Sequence, residues 1–150
     1  MARAVVNHIG HCVSDLERSR RFYVEVLGFQ PWFDFDPPDD PSAKLLGLEA
    51  PLGTKAAYLR LGDVVLELLT FVDAGTRHHE PRVMNDRGLT HLSFSVDDIA
   101  ATCVKVEDYG GTVIADTNIG AAVFIRDPDG QLLELLPATY RKNLPPIPGD

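Results

Sequence analysis

The feature that most constrains this chain is that it repeats itself. When NHIGHCVSDL (residues 7–16) is set above THLSFSVDDI (90–99), His8 falls on His91, Val13 on Val96 and Asp15 on Asp98, all at an offset of 83 residues. Further along, VVLELL (64–69) matches QLLELL (131–136) and places Glu67 on Glu134, at an offset of 67. Self-similarity of this kind means that one supersecondary unit has been used twice. The first half therefore carries 16 extra residues between its histidine and its glutamate. They fall in FDFDPPDDPSAKLLGLEAPLG (33–53), where Pro37, Pro38, Pro41 and Pro51 break regular structure and predict a loop over one face, spanning about 34–55.

Each half has the same order of elements. A strand ends near Val13, Ser14 with Glu17 three residues on reads as a capping box, and Leu16, Phe22, Val26 and Leu27 recur at helical spacing until Gly28 closes the helix. The second half has a strand to Val96, a helix from about Asp98 with Ile99, Cys103 and Val106 on one stripe, and a stop at Gly110 and Gly111. Strands follow each helix: KAAYLRL and VVLELLTF joined at Gly62 and Asp63, then AAVFIR and QLLELLP joined at Asp127 to Gly130. The pattern is strand, helix and three strands, twice. It predicts an α+β fold of two tandem βαβββ modules in one domain of 150 residues: module one at about 3–72, a polar linker at about 73–87 crossing between the halves, module two at about 88–138 and a tail at 139–150.

Composition narrows the function. Twenty-two acidic against 14 basic residues give a net charge of −8, and the basic residues are scattered, so the counterion release that drives nucleic-acid binding has no footprint here. No apolar run approaches the roughly 20 residues that span a bilayer, since the best candidate, 64–72, is interrupted by Glu67. The N-terminal residues contain no long apolar segment of a secretory signal. Cys12 and Cys103 lack metal-ligand spacing and fit reduced core thiols, which together with the preceding features predicts a cytoplasmic protein with neither membrane nor nucleic acid as partner.

Strand alternation exposes the chemistry. Val65, Glu67 and Leu69 share one strand face and Val64, Leu66 and Leu68 the other, so Glu67 is a carboxylate in an apolar strand and is expected to be buried. Glu134 repeats this between Leu132 and Leu136. A buried carboxylate without a partner costs several kcal/mol, so two at equivalent positions call for a positive charge. His8 and His91 stand at equivalent places on the first strands, and imidazole nitrogens with carboxylate oxygens make a ligand set for a divalent transition metal. A lone strand histidine or glutamate is more often a satisfied core or solvated residue; the agreement of two His–Glu pairs under one repeat is what selects the metal reading. His11 lies on the opposite strand face from His8 and is expected under the helix, while His78 and His79, with Arg77, Arg82 and Arg87, read as a solvated linker.

The strings NHIGHCVSDLERSRRFYVEVLGF, GLTHLSFSVDDI and IRDPDGQLLELLP, which span nearly the whole chain, resemble the vicinal oxygen chelate (glyoxalase / bleomycin resistance / dioxygenase) superfamily. The resemblance implies a glyoxalase-like fold, in which the two modules curl a mixed sheet into a cup around one metal held by His8, Glu67, His91 and Glu134. This ligand set is similar to that of glyoxalase I and differs from that of methylmalonyl-CoA epimerase mainly in carrying glutamate at position 67 rather than glutamine. Extradiol ring-cleaving dioxygenases leave that place open, and the bleomycin-binding members usually lack the ligands. Cys12 and Phe71 stand where glutathione-dependent members carry an arginine and an asparagine that grip glutathione. The epimerases' second acidic base is missing too: across a turn at Gly62 and Asp63 the residue facing Glu67 is Tyr58, which is expected to act as an acid, a hydrogen-bond donor or an aromatic wall.

A divalent ion (nickel, cobalt, manganese, iron or zinc) polarising a carbonyl acidifies the neighbouring C–H. The expectation is a metal-dependent lyase or isomerase acting on a small oxygenated substrate, with Glu134 as the first choice of base by resemblance to glyoxalase I, Glu67 the second, and Tyr58 assisting. The alternatives are a ring-cleaving dioxygenase and a protein that binds a hydrophobic natural product. Exposed module edges predict a homodimer.

Overall fold

The computed structural model describes residues 4–146 and divides after His79, within the polar stretch 73–87, into two compact units. The first unit runs β1 (Ile9–Cys12), α1 (Leu16–Glu25), β2 (Gln30–Phe35), α2 (Asp39–Leu46), β3 (Thr54–Leu61) and β4 (Val64–Phe71), with sheet order β1-β4-β3-β2. The second runs β5 (Leu92–Val96), α3 (Ile99–Asp108), β6 (Thr112–Val113), a 3-10 turn at Ala115–Thr117, β7 (Val123–Arg126), β8 (Leu132–Pro137) and α4 (Ala138–Lys142), with sheet order β5-β8-β7-β6. Each unit is the βαβββ module read from the repeat: a four-stranded mixed sheet whose first strand is parallel to its last, all other pairings being antiparallel. No helix among the described residues is long and apolar enough to cross a membrane.

In each sheet one face is packed and the other is left for chemistry. In the first unit Leu59, Leu66 and Leu68 are fully buried with Phe22 and Tyr23 of α1, and Val26 at its C-cap is buried too. Burial of each such side chain stabilises the fold by about 1.5–3 kcal/mol. His11 points to this side and meets Tyr23 edge-on at 6.0 Å, as expected of a residue under the helix. In the second unit Val123, Ile125, Leu133 and Leu135 are buried with Val106 of α3. The turn into β8 is held by the buried Asp127, whose Oδ1 accepts from the backbone amides of Asp129 at 3.0 Å and Gln131 at 2.8 Å.

Three local expectations are corrected. The N-cap of α1 is Asp15, not Ser14: the Asp15 carboxylate accepts from the Arg18 amide at 2.9 Å, while Ser14 accepts from the Arg18 guanidinium instead. Asp98 caps α3 in the same way, through the Ala101 amide. The stretch 33–53 is not a structureless loop. Its start continues β2, and its prolines collect where a helix tolerates them, Pro38 at the N-cap of α2 and Pro41 in its first turn, where no intrahelical N–H is needed. Asp39 and Asp40 sit at the positive end of that helix, Lys44 at the other, and Gly47 at φ +67 supplies the left-handed stop. Asp39 also accepts from the amides of Leu52 at 3.1 Å and Gly53 at 3.2 Å, tying the start of the insertion to its exit. Finally, Cys12 is an exposed thiol rather than a core one, because it lies on the open face of β1; Cys103 is half-buried, and desolvation, then Glu107, raises its thiol pKa.

Candidate metal centre

Glu67 lies on β4 opposite Tyr58 of β3, the pairing that the Gly62–Asp63 turn dictates, with Gly62 at φ +59. It is not sealed in a core. Its side chain keeps 18% exposure and that of His8 35%, because both face the open side of the sheet. His8 Nε2 stands 3.2 Å from Glu67 Oε2, and the Tyr58 hydroxyl donates to Glu67 Oε1 at 2.6 Å. Burial, then the bond to Glu67 and its negative charge, pushes the Tyr58 pKa up to about 12, so the phenol stays protonated. Phe33 of β2 stacks on the Tyr58 ring at 4.4 Å, and His8 meets the same ring edge-on at 5.8 Å.

The other nitrogen of His8 sets what can lie between this pair. Nδ1 lies 2.6 Å from Asn7 Oδ1, and an amide oxygen can only accept. With Nδ1 donating, a neutral His8 presents a bare Nε2 lone pair to a carboxylate oxygen, and two acceptors at 3.2 Å repel unless a proton or a metal ion lies between them. The donor chemistry fits a divalent ion: one imidazole nitrogen, one carboxylate, and an outer contact that fixes the ring.

The second unit builds the same arrangement with different auxiliaries. His91 Nε2 stands 3.7 Å from Glu134 Oε2, with side-chain exposures of 25% and 22%. Thr90 Oγ1 lies 2.9 Å from His91 Nδ1, at the place Asn7 holds in the first unit, but a hydroxyl can donate or accept there. Ser93 of β5 donates to Glu134 Oε2 at 2.6 Å. Phe124, the residue that faces Glu134 across β7 and β8, meets His91 edge-on at 5.3 Å. Glu134 Oε1 has no partner among the described residues.

The expected site residues fall in two pairs, His8 with Glu67, joined by Tyr58, and His91 with Glu134; the glutamates and Tyr58 lie on strands, and each histidine immediately precedes its strand, β1 or β5. No group of three or more His, Cys, Asp or Glu side chains suited to a metal forms among the described residues. His78 and His79 are exposed, and their rings stack on each other at 6.3 Å. The residues that sequence reasoning passed over are Asn7, Thr90, Ser93, Phe33 and Phe124. The repeat held the signal for two of them: the offset that aligns the histidines also aligns Asn7 with Thr90, and it sets Ser93 above Gly10. Phe124 was hidden because the loop from Asp127 to Gln131 is longer than the two-residue turn between β3 and β4, which changes the register count.

The chain matches the family model of the Glyoxalase/Bleomycin resistance protein/Dioxygenase superfamily over residues 5–135. A lactoylglutathione lyase of Pseudomonas putida is 31% identical over 92% of this chain and 87% of its own length. A 2-epi-5-epi-valiolone epimerase of an Actinomyces species is 29% identical over 87% of this chain and 78% of its own. Among solved structures, a glyoxalase family protein from Bacillus cereus superposes with a TM-score of 0.75 at 19% identity, covering 90% of this chain and 96% of that one. A match this long, on a chain built of two βαβββ units that each carry a His–Glu pair, makes the protein a member of the glyoxalase/bleomycin resistance/dioxygenase superfamily.

Proposed function

We propose that the chain is a divalent-metal-dependent lyase or isomerase that moves a proton at the carbon beside a carbonyl of a small oxygenated substrate. The observation that carries this reading is the His8–Glu67 pair: a nitrogen whose partner ring atom already donates to Asn7 faces a carboxylate at 3.2 Å, and a second His–Glu pair stands at His91 and Glu134, 3.7 Å apart. We assign His8, Glu67, His91 and Glu134 to one ligand set because each unit offers two protein donors, half of what an ion with four protein ligands needs. Nickel, cobalt, manganese, iron and zinc all suit mixed nitrogen and oxygen donors. Such an ion supplies Lewis-acid polarisation of the substrate carbonyl. The names of the two relatives, a lyase and an epimerase, support this class of chemistry.

The chain's own residues divide the remaining work. Glu134, whose Oε1 is unengaged, accepts the substrate proton and returns it to the neighbouring carbon. Glu67 has a neighbour at each oxygen, Tyr58 donating to Oε1 and His8 facing Oε2, and stays in place. The single proton of the Tyr58 hydroxyl, kept on the phenol by its raised pKa, goes to Glu67 Oε1, so Tyr58 acts by holding that carboxylate. Cys12 and Phe71 offer no charged grip for the carboxylates of glutathione, which favours a substrate without that arm.

The test joins stoichiometry to exchange. The protein is expected to bind one divalent ion per chain and to catalyse exchange of α-protons with deuterated solvent in some member of a panel of small α-hydroxyketones and α-hydroxyaldehydes. Glu134→Gln keeps a carbonyl oxygen for the metal and loses the proton acceptor, so its metal content should fall modestly while exchange drops by at least about a hundredfold. Oxygen consumption on an aromatic diol, without exchange, would overturn the reading in favour of ring cleavage.

A further inference from the structure

Each glutamate of the two half-sites receives one side-chain hydroxyl, and the two hydroxyls arrive from opposite directions. Glu67 is flanked in the sheet by Gly10 of β1 and Tyr58 of β3; Glu134 is flanked by Ser93 of β5 and Phe124 of β7. In the first unit the β1 position is bare and the hairpin partner carries the hydroxyl, at 2.6 Å. In the second unit the hairpin partner is a phenyl ring and the first strand carries the hydroxyl, also at 2.6 Å. The exchange is complementary: where one flank lacks a hydroxyl, the other has it.

We propose that Tyr58 and Ser93 are positioning residues, each of which fixes the orientation of one ligand glutamate, and that their opposite placement makes the two glutamates unequal. The inference rests on the metal reading above. A glutamate side chain has three rotatable bonds, so an open sheet face alone does not aim its carboxylate. Tyr58 holds Oε1 of Glu67 and leaves Oε2 facing His8, so each oxygen has a neighbour. Ser93 holds Oε2 of Glu134, the oxygen that also faces His91, and leaves Oε1 with no partner among the described residues. The hydroxyl frame thus assigns a fixed carboxylate to the first unit and one with an unengaged oxygen to the second, although the ligands repeat.

The exchange also supplies its own rescue. A Cβ added at Gly10 would lie 3.6 Å from Glu67 Oε2, an ordinary contact, with no other neighbour within 4 Å. Gly10→Ser would therefore give Glu67 a hydroxyl from the strand that serves Glu134 through Ser93. Phe124→Tyr would give Glu134 a hydroxyl from the strand that serves Glu67 through Tyr58.

The experiment measures binding of Mn2+ alone to the full chain, by the signal of the free ion, and the d–d absorption of bound Co2+. Tyr58→Phe and Ser93→Ala are each expected to weaken Mn2+ binding by about tenfold to a hundredfold, the range typical of groups that orient a metal ligand, and to alter the Co2+ spectrum. Gly10→Ser should restore most of the loss in Tyr58→Phe, and Phe124→Tyr most of the loss in Ser93→Ala; a merely structural role for either hydroxyl predicts no such crossed recovery. Unchanged Mn2+ affinity in both single variants, or losses that neither second substitution repairs, would overturn the positioning while leaving the metal site standing. If the unaltered chain takes up neither ion, the positioning falls together with the metal reading on which it rests.

Discussion

The Tyr58 hydroxyl donates to Glu67 at 2.6 Å, and its chemistry is measurable without any substrate. Its pKa is pushed from the ordinary 10 to about 12 by burial first and by Glu67 second. A group whose folded-state pKa is raised contributes stability that is complete below its unfolded value and is lost as pH rises through the folded value. In metal-free protein the advantage of the wild type over Tyr58→Phe should therefore hold up to about pH 10 and shrink between pH 10 and about 12. Melting temperatures across that interval check it, and a constant difference would refute it. At this scale the sequence was readable where two copies could be compared. His8, Glu67, His91 and Glu134 stood out by their offsets, and Tyr58 followed from a two-residue turn. Ser93 did not stand out, because a serine in a strand is unremarkable until the carboxylate beside it is known, and its counterpart in the other copy is Gly10.

Helix ends and the insertion are where element-scale expectation and structure part. Ser14 and Asp15 are adjacent cap-forming residues, and sequence alone does not say which adopts the extended backbone of an N-cap; the observed bond from the Arg18 amide to Asp15 decides it. Asp15→Ala should cost about 1 kcal/mol of stability, as should Asp98→Ala, whereas Ser14→Ala should stay within about 0.5 kcal/mol. Denaturant unfolding of the three variants checks this, and equal losses at Ser14 and Asp15 would contradict the assignment. The α2 helix was missed because four prolines within 33–53 read as breakers, although position within a helix decides whether a proline breaks it. Asp39→Ala removes two bonds to the amides of Leu52 and Gly53 and should loosen this segment specifically. Faster amide hydrogen exchange at those two residues, with β4 unaffected, is the expected result.

At the scale of the whole chain, the repeat made the two βαβββ units and the order of their elements legible, and what it left unread was surface. Val5, Val6, Leu45, Leu89 and Ile119 are large apolar residues with most of their surface open to water, on a chain whose sheets end in the exposed strands β1 and β2 and, in the second unit, β5 and β6. Apolar surface together with unpaired edges favours self-association. We expect a symmetric homodimer at micromolar concentration, and sedimentation giving only a 16.5 kDa species would count against it. The insertion has a consequence of another kind. Its two ends leave neighbouring strands at Phe35 and Thr54, and Asp39 clasps the exit, so the segment between is a closed cassette hung on a fixed frame. Loop closure costs rise only slowly with length, and descendants of this gene could lengthen, shorten or exchange the cassette while the pairing of Tyr58 with Glu67 stays in register. Such a layout lets this segment drift over generations without disturbing the sheet that carries the His8–Glu67 pair.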